Sequence, residues 1–204
     1  MRRKPGPRSA PSALGVDPGR TGAAVLLDPG GGCRAVFAWS PVQRNKQARY
    51  RVRWWVDGGK EPAWTDERIT PLRAGAVGAL VAGYVKLMVS DGGERPVVET
   101  VLACESGYVG KDPQASLKLA RFSGGIVAPL EEALGRTSSW ILPDVWRATT
   151  IGVRRGTPRA ACKRASLRLV PARVKGLRRA LDHLGELDHV TDAAGVASCA
   201  RVAT

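Results

Sequence analysis

Acidic residues are scarce in this chain, and over one long stretch they are absent. Against 32 lysines and arginines stand 18 aspartates and glutamates, a formal charge of +14 over 204 residues. Between Trp146 and Arg179 eleven basic residues occur without a single acid. A polyanion suits such a segment, because neutralising phosphates releases condensed counterions and makes binding fall steeply with salt. A solvated helix face is the plainer alternative, and the complete exclusion of acids argues against it. Cysteines are few and scattered: Cys33, Cys104, Cys162 and Cys199 form no CxxC pair, which argues against a zinc site or a disulfide framework and for reduced thiols in a cytoplasmic setting. Long hydrophobic runs are also missing. The most apolar helical candidate, Ala74 to Ser90, is interrupted by Lys86 and too short to span a bilayer, so no membrane partner is expected. The opening MRRKPGPRSAPSA is basic with no apolar stretch behind it, and residues 1–12 read as a disordered basic arm rather than a secretory signal.

What is present suits one α/β domain over residues 13–204, long enough to bury a core unaided and without internal repeats. Ala13 to Val16 and Ala23 to Leu27 are apolar runs on either side of a Pro-Gly turn, and Cys33 to Trp39 follows the DPGGG turn, which predicts a three-stranded meander. Residues 41–70 form a basic and aromatic insertion, a hairpin or long loop with DGGK at its turn. In it Arg44, Lys46, Arg49, Arg51 and Arg53 are interleaved with Tyr50, Trp54 and Trp55, and Trp64 follows. Such interleaving can hold a nucleic-acid strand by charge and stacking, although tryptophans as often simply pack. Pro71 to Val89 has helical spacing with Leu72, Ala76, Leu80, Tyr84 and Leu87 on one face. A buried strand is expected over Pro96 to Cys104, a helix over Pro113 to Phe122 and a short strand over Ser139 to Leu142. Basic helices follow at about 143–151 and 158–180, and Asp188 to Val202 is a helix rich in small residues able to lie close on a sheet.

Three acids fall where such a fold can gather them: Asp17 ending the first strand, Glu105 ending the fourth, and Asp192 near the start of the last helix. Asp188, His189 and Asp192 share a helical face, so one turn can present two ligands. Singly, each has an ordinary explanation: Asp before Pro-Gly as turn chemistry, Asp in a first helical turn as a cap, a lone His as a surface residue. Glu105 has none, because a carboxylate at the end of a buried strand needs a partner. Glu99 is its rival, but six residues of strand would separate the two by about 20 Å. Phosphodiester hydrolysis calls for charge neutralisation, an activated water and support for the leaving oxygen. Two magnesium ions about 4 Å apart supply all three, and carboxylates are their hard ligands. Asp17 is suited to bridge the two, and manganese satisfies the same ligands.

These motifs resemble a known family. LGVDPGRTGAAVL is similar to the first hairpin of the RuvC Holliday-junction resolvases, ESGYVGKDPQASLKLA to their second motif with its metal-binding Glu, and HVTDAAGVA to their fourth. The resemblance runs in the family's motif order from about residue 13 to 202. It implies a ribonuclease H-like fold, with a mixed central sheet antiparallel over its first three strands and parallel thereafter, flanked by helices. It further implies a homodimeric, magnesium-dependent endonuclease for branched DNA, especially four-way junctions, leaving 5′-phosphate and 3′-hydroxyl ends. No small-molecule cofactor is expected, and the setting is the cytoplasm of a bacterial or phage-infected cell. The implied catalytic and metal-binding residues are Asp17, Glu105, His189 and Asp192, with Asp188 able to stand in for His189, a position that is Asp in many relatives. Tyr108 matches the aromatic that stacks into the opened junction, and Lys163 a basic residue near the scissile phosphate. Lys111, Lys118, Arg147, Arg154, Arg155, Arg159 and Arg164 complete the expected DNA contacts. The segment at 41–70 is longer than the family pattern, which points to phage members less strict about junction shape. Helices 71–90 and 113–122 are candidate dimer faces.

Three rivals share some of these features. The first hairpin also resembles the phosphate loop of the actin and sugar-kinase group, which needs a far longer chain. A non-catalytic helix-turn-helix protein built on 146–179 would leave the three acids without a task. The same fold acting on RNA, flaps or forks is not separable by sequence.

Overall fold

The structure, a computed structural model, describes residues 10–44, 47–57, 66–69, 74–89, 99–107, 112–185 and 188–203. Seven strands form one sheet in the order β5-β4-β3-β2-β1-β6-β7. Strands β1 (Ser12–Asp17), β2 (Gly22–Leu27), β3 (Cys33–Arg44), β4 (Gln47–Val56) and β5 (Asp66–Ile69) form an antiparallel meander. Beyond β1 the sheet turns parallel, through β6 (Thr100–Glu105) and β7 (Ser139–Ile141). The expected antiparallel-then-parallel sheet is present, with the meander extended from three strands to five.

That extension absorbs the segment predicted as an insertion. The third strand continues past Trp39 to Arg44, and β4 pairs with it from Ala35↔Val56 to Arg44↔Gln47, so the two are joined across 45–46; β4 in turn pairs antiparallel with β5, and DGGK falls in their connection, with Gly58, Gly59 and Lys60 outside the described residues. The reason is burial: Tyr50, Val52, Trp54 and Trp55 enter the core, and Trp54 stacks at 4.7 Å on Tyr84. Truncating a buried aromatic costs about 3–5 kcal/mol, so packing decides what those rings do. Tyr50, Trp54 and Trp55 are therefore unavailable for DNA stacking; Lys46 and Trp64 lie outside the described residues, as do Tyr108, Lys111 and residues 1–9 of the arm expected over 1–12, whose last residue, Ser12, is instead buried at the start of β1.

One face of the sheet carries α1 (Ala74–Val89) and α2 (Pro113–Leu134). The other carries α3 (Pro143–Ile151), α4 (Arg159–Arg173), α5 (Leu177–Leu184) and α6 (Asp188–Val202). Three helical expectations need correction. In α1 the buried side is Val77, Gly78, Val81, Ala82 and Val85, while Leu87 is exposed. The small residues decide this, since a Cβ on Gly78 would stand 2.4 Å from the Ile126 carbonyl of α2. Helix α2 runs twelve residues beyond Phe122, through Ser-Gly-Gly and Pro129, because Ile126, Val127 and Leu130 continue its buried stripe. The Asp112 side chain caps its start by accepting from the backbone N–H groups of Gln114 and Ala115. The predicted helix at 158–180 is two helices, divided at Gly176, whose φ of 82° suits glycine. The last helix matches its expected bounds.

Candidate active site

Side-chain alternation along two neighbouring strands assembles the site. In β1, Leu14 and Val16 face α1 and α2, whereas Ala13 packs on the α6 side. By the two-residue period Asp17 belongs to the α6 side too. In β6, Leu102 and Cys104 share the first face and Ala103 the second, which sends Glu105 the same way as Asp17. The parallel register Gly15↔Ala103 and Val16↔Cys104 brings the two acids to the ends of adjacent strands.

Helix α6 comes close enough to add its own acid because Gly15 has no side chain. A Cβ there would stand 2.1 Å from the Ala193 carbonyl and 2.4 Å from the Ala197 nitrogen. Among the described residues, one group of potential ligand atoms lies within 4.8 Å of one another, from Asp17, Glu105 and Asp192. Two anchors fix the loop after Asp17: the Trp39 indole donates to the Gly19 carbonyl at 2.9 Å and the Ser123 hydroxyl to that of Pro18 at 3.0 Å.

His189 reaches this group through Asp17, its Nδ1 lying 2.5 Å from the Asp17 Oδ2. That hydrogen bond, ahead of any other influence, raises the imidazole pKa. Asp188 is not in the group; its carboxylate pairs with the Lys163 ammonium. Glu99 sits at the opposite end of β6, exposed and paired with Arg136 at 3.2 Å, which removes it as a rival to Glu105.

Crowded, desolvated carboxylates resist ionisation. Burial pushes Glu105 up to about 8, with the charges of Asp17 and Asp192 adding to it and Arg147 opposing. Burial likewise lifts Asp192 to about 6 against the pull of Arg147. Arg147 reaches in among them, with an Nη2 3.6 Å from Asp192 and 3.8 Å from Glu105. The sequence marked Arg147 as one of eleven basic residues and as an expected DNA contact, with nothing to place it among the acids. Its intimacy with the acids depends on α3 lying against α6, where the Trp146 ring fills the space that a Gly195 side chain would take and Thr150 donates to the Gly195 carbonyl at 3.0 Å.

The acids lie in a cleft of about 570 Å³ whose lining also includes Arg147, Arg159, Lys163, Ser106, Thr157 and Leu119. Asp144 lines it as well, a carboxylate in the first turn of α3 that reads in sequence as a simple helix-dipole partner. Lys118, Arg154, Arg155 and Arg164 are exposed on α2, the α3–α4 connection and α4. Three converging hard-oxygen ligands that repel one another when empty fit a divalent cation. No helix among the described residues is long and apolar enough to cross a membrane.

No protein-family model matches the sequence, and no curated protein does. Among solved structures, Thermus thermophilus RuvC in complex with Holliday junction substrate is similar over 95% of this chain and 97% of that one, with a TM-score of 0.52 at 18% identity. A second structure of Thermus thermophilus RuvC aligns over 92% of each chain at 15% identity, with a TM-score of 0.46. The first of these likenesses shows the fold, and it is the ribonuclease H-like architecture of RuvC that the motifs led one to expect.

Proposed function

We propose that this chain is a divalent-metal-dependent endonuclease for branched DNA, four-way junctions foremost, working as a homodimer. The observation that carries this reading is the convergence of Asp17, Glu105 and Asp192 within 4.8 Å inside a cleft edged by Arg159 and Lys163. A likeness in fold to a protein solved with a Holliday junction supports the choice of substrate.

In this reading Asp17, Glu105 and Asp192 hold magnesium, as two ions, or manganese in its place. When bound, the metal neutralises phosphate charge and makes water a competent nucleophile. The chain's own residues do the rest. His189 orients the Asp17 carboxylate through its Nδ1 contact and ranks as a further ligand candidate. Lys163 and Arg159 draw the phosphate backbone into the cleft, and Arg147 offers a guanidinium fork suited to phosphate oxygens. Lys118, Arg154, Arg155 and Arg164, with Lys111, extend the contact along the junction arms, and Tyr108 supplies the aromatic for stacking into the opened junction.

A labelled panel of four-way junctions, forks, flaps, duplex DNA and RNA hybrids, incubated with magnesium or EDTA, tests the proposal. The expected result is magnesium-dependent cleavage strongest on the junction, lost in Asp17→Asn while junction binding persists. Binding without cleavage in every condition would instead identify a non-catalytic DNA-binding protein, and preferential cutting of hybrids or flaps would reassign the substrate.

A further inference from the structure

Arg147 occupies an unusual place for a DNA-binding arginine. Its side chain is only 15% exposed, and its Nη2 lies within 4 Å of two of the three clustered acids. Yet it is loosely held. Arginine–carboxylate hydrogen bonds run to about 2.7–2.9 Å, whereas these contacts are 3.6 and 3.8 Å. The buried Nε finds no acceptor among the described residues. On its other side the guanidinium carbon rests 4.8 Å from the centroid of the Trp146 ring. A fully satisfied structural ion pair would show short, forked contacts. Here a cation stands near carboxylates without being locked to them.

We propose that Arg147 is a placeholder cation, which stands against the Glu105 and Asp192 carboxyl groups in the metal-free protein and competes with a divalent ion for them. This rests on the metal-dependent reading above. Two cations beside the same pair of acids repel each other, so metal binding and the inward position of Arg147 oppose one another. A guanidinium with unmet donors is readily displaced toward a phosphate, whose oxygens match its fork. Arg147 thus keeps the acids gathered until metal arrives, at a cost to metal affinity.

Calorimetric titration of manganese chloride into the full chain, without DNA, tests this. Arg147→Gln and Arg147→Met remove the charge, the second keeping an aliphatic stem against Trp146, and Arg147→Lys retains it. Both neutral variants should bind manganese on the order of tenfold more tightly than wild type, with Arg147→Lys staying within about twofold of wild type by the same charge logic. Melting followed in EDTA should show the neutral variants below wild type, and saturating manganese should close that gap. A neutral variant that folds only with manganese counts in favour as well. Wild type and neutral variants binding manganese equally, or the variants more weakly, overturns the placeholder and leaves the nuclease reading standing. Absence of manganese binding in wild type overturns both.

Discussion

The His189 imidazole and the Asp17 carboxylate meet at 2.5 Å although 172 positions separate them in the chain. The last helix and the first strand are thereby joined at the site itself. The raised pKa of His189 has a definite sign: the bond stabilises the metal-free fold fully below the ordinary imidazole value of 6.5 and weakens as pH climbs through the raised one. His189→Ala should reduce cleavage by about 10- to 100-fold, the usual effect of removing a residue that orients a metal ligand, with junction binding little changed. His189→Asn, which retains an amide donor, should recover part of the loss. Single-turnover rates at saturating enzyme measure both, and unchanged rates in His189→Ala would remove the residue from the mechanism.

Burial and repulsion at Glu105 set a stability that depends on pH. An ordinary glutamate titrates near 4.5, and here the group is lifted to about 8. Between those values the folded chain holds a proton that the unfolded chain releases, so this group's contribution to metal-free stability is fully present at acid pH and is lost as pH rises toward 8. Asp192, lifted to about 6, acts in the same direction over a narrower window. Glu105→Gln should abolish most of this slope. In EDTA the variant should melt several degrees above wild type near pH 8 and no higher near pH 4.5, where an ordinary glutamate titrates. Parallel melting profiles across that range would contradict the assignment.

Gly15 couples packing to chemistry. A side chain there collides with the backbone of α6 at Ala193 and Ala197, so Gly15→Val must push the helix away from β1, carrying Asp192 with it. Overpacking of this kind typically costs about 1–3 kcal/mol. Lower thermal stability together with weaker manganese binding is the expected outcome, whereas Gly83→Val on α1, where a Cβ meets nothing within 4 Å, should leave metal binding intact. A Gly15→Val protein with wild-type manganese affinity would show that the helix position is not what assembles the site.

Much of the site was legible because its acids terminate clearly patterned elements. An apolar run followed by an acid marked Asp17 and Glu105, and small residues marked the sheet-facing helix that carries Asp192. The position of Arg147 beside the acids was hidden, since nothing local distinguishes it from the ten other basic residues of its segment. Its meaning lies in the contact of α3 with α6. The reach of β3 and β4 was hidden for a related reason: Arg49, Arg51 and Arg53 gave the stretch a polar look, and the burial of Tyr50, Trp54 and Trp55 is a tertiary fact. Helix α2 was cut short by Ser-Gly-Gly, residues that weaken an isolated helix but let α1 approach closely in the fold.

The most direct measurement is anomalous X-ray scattering from crystals of the chain soaked in manganese chloride. Density should appear within coordinating distance of the Asp17, Glu105 and Asp192 oxygens and vanish in Asp17→Asn crystals treated alike. Well-diffracting soaked crystals with no anomalous peak at those carboxylates, or with manganese only at other places on the surface, would contradict the metal site on which the nuclease activity is proposed to depend.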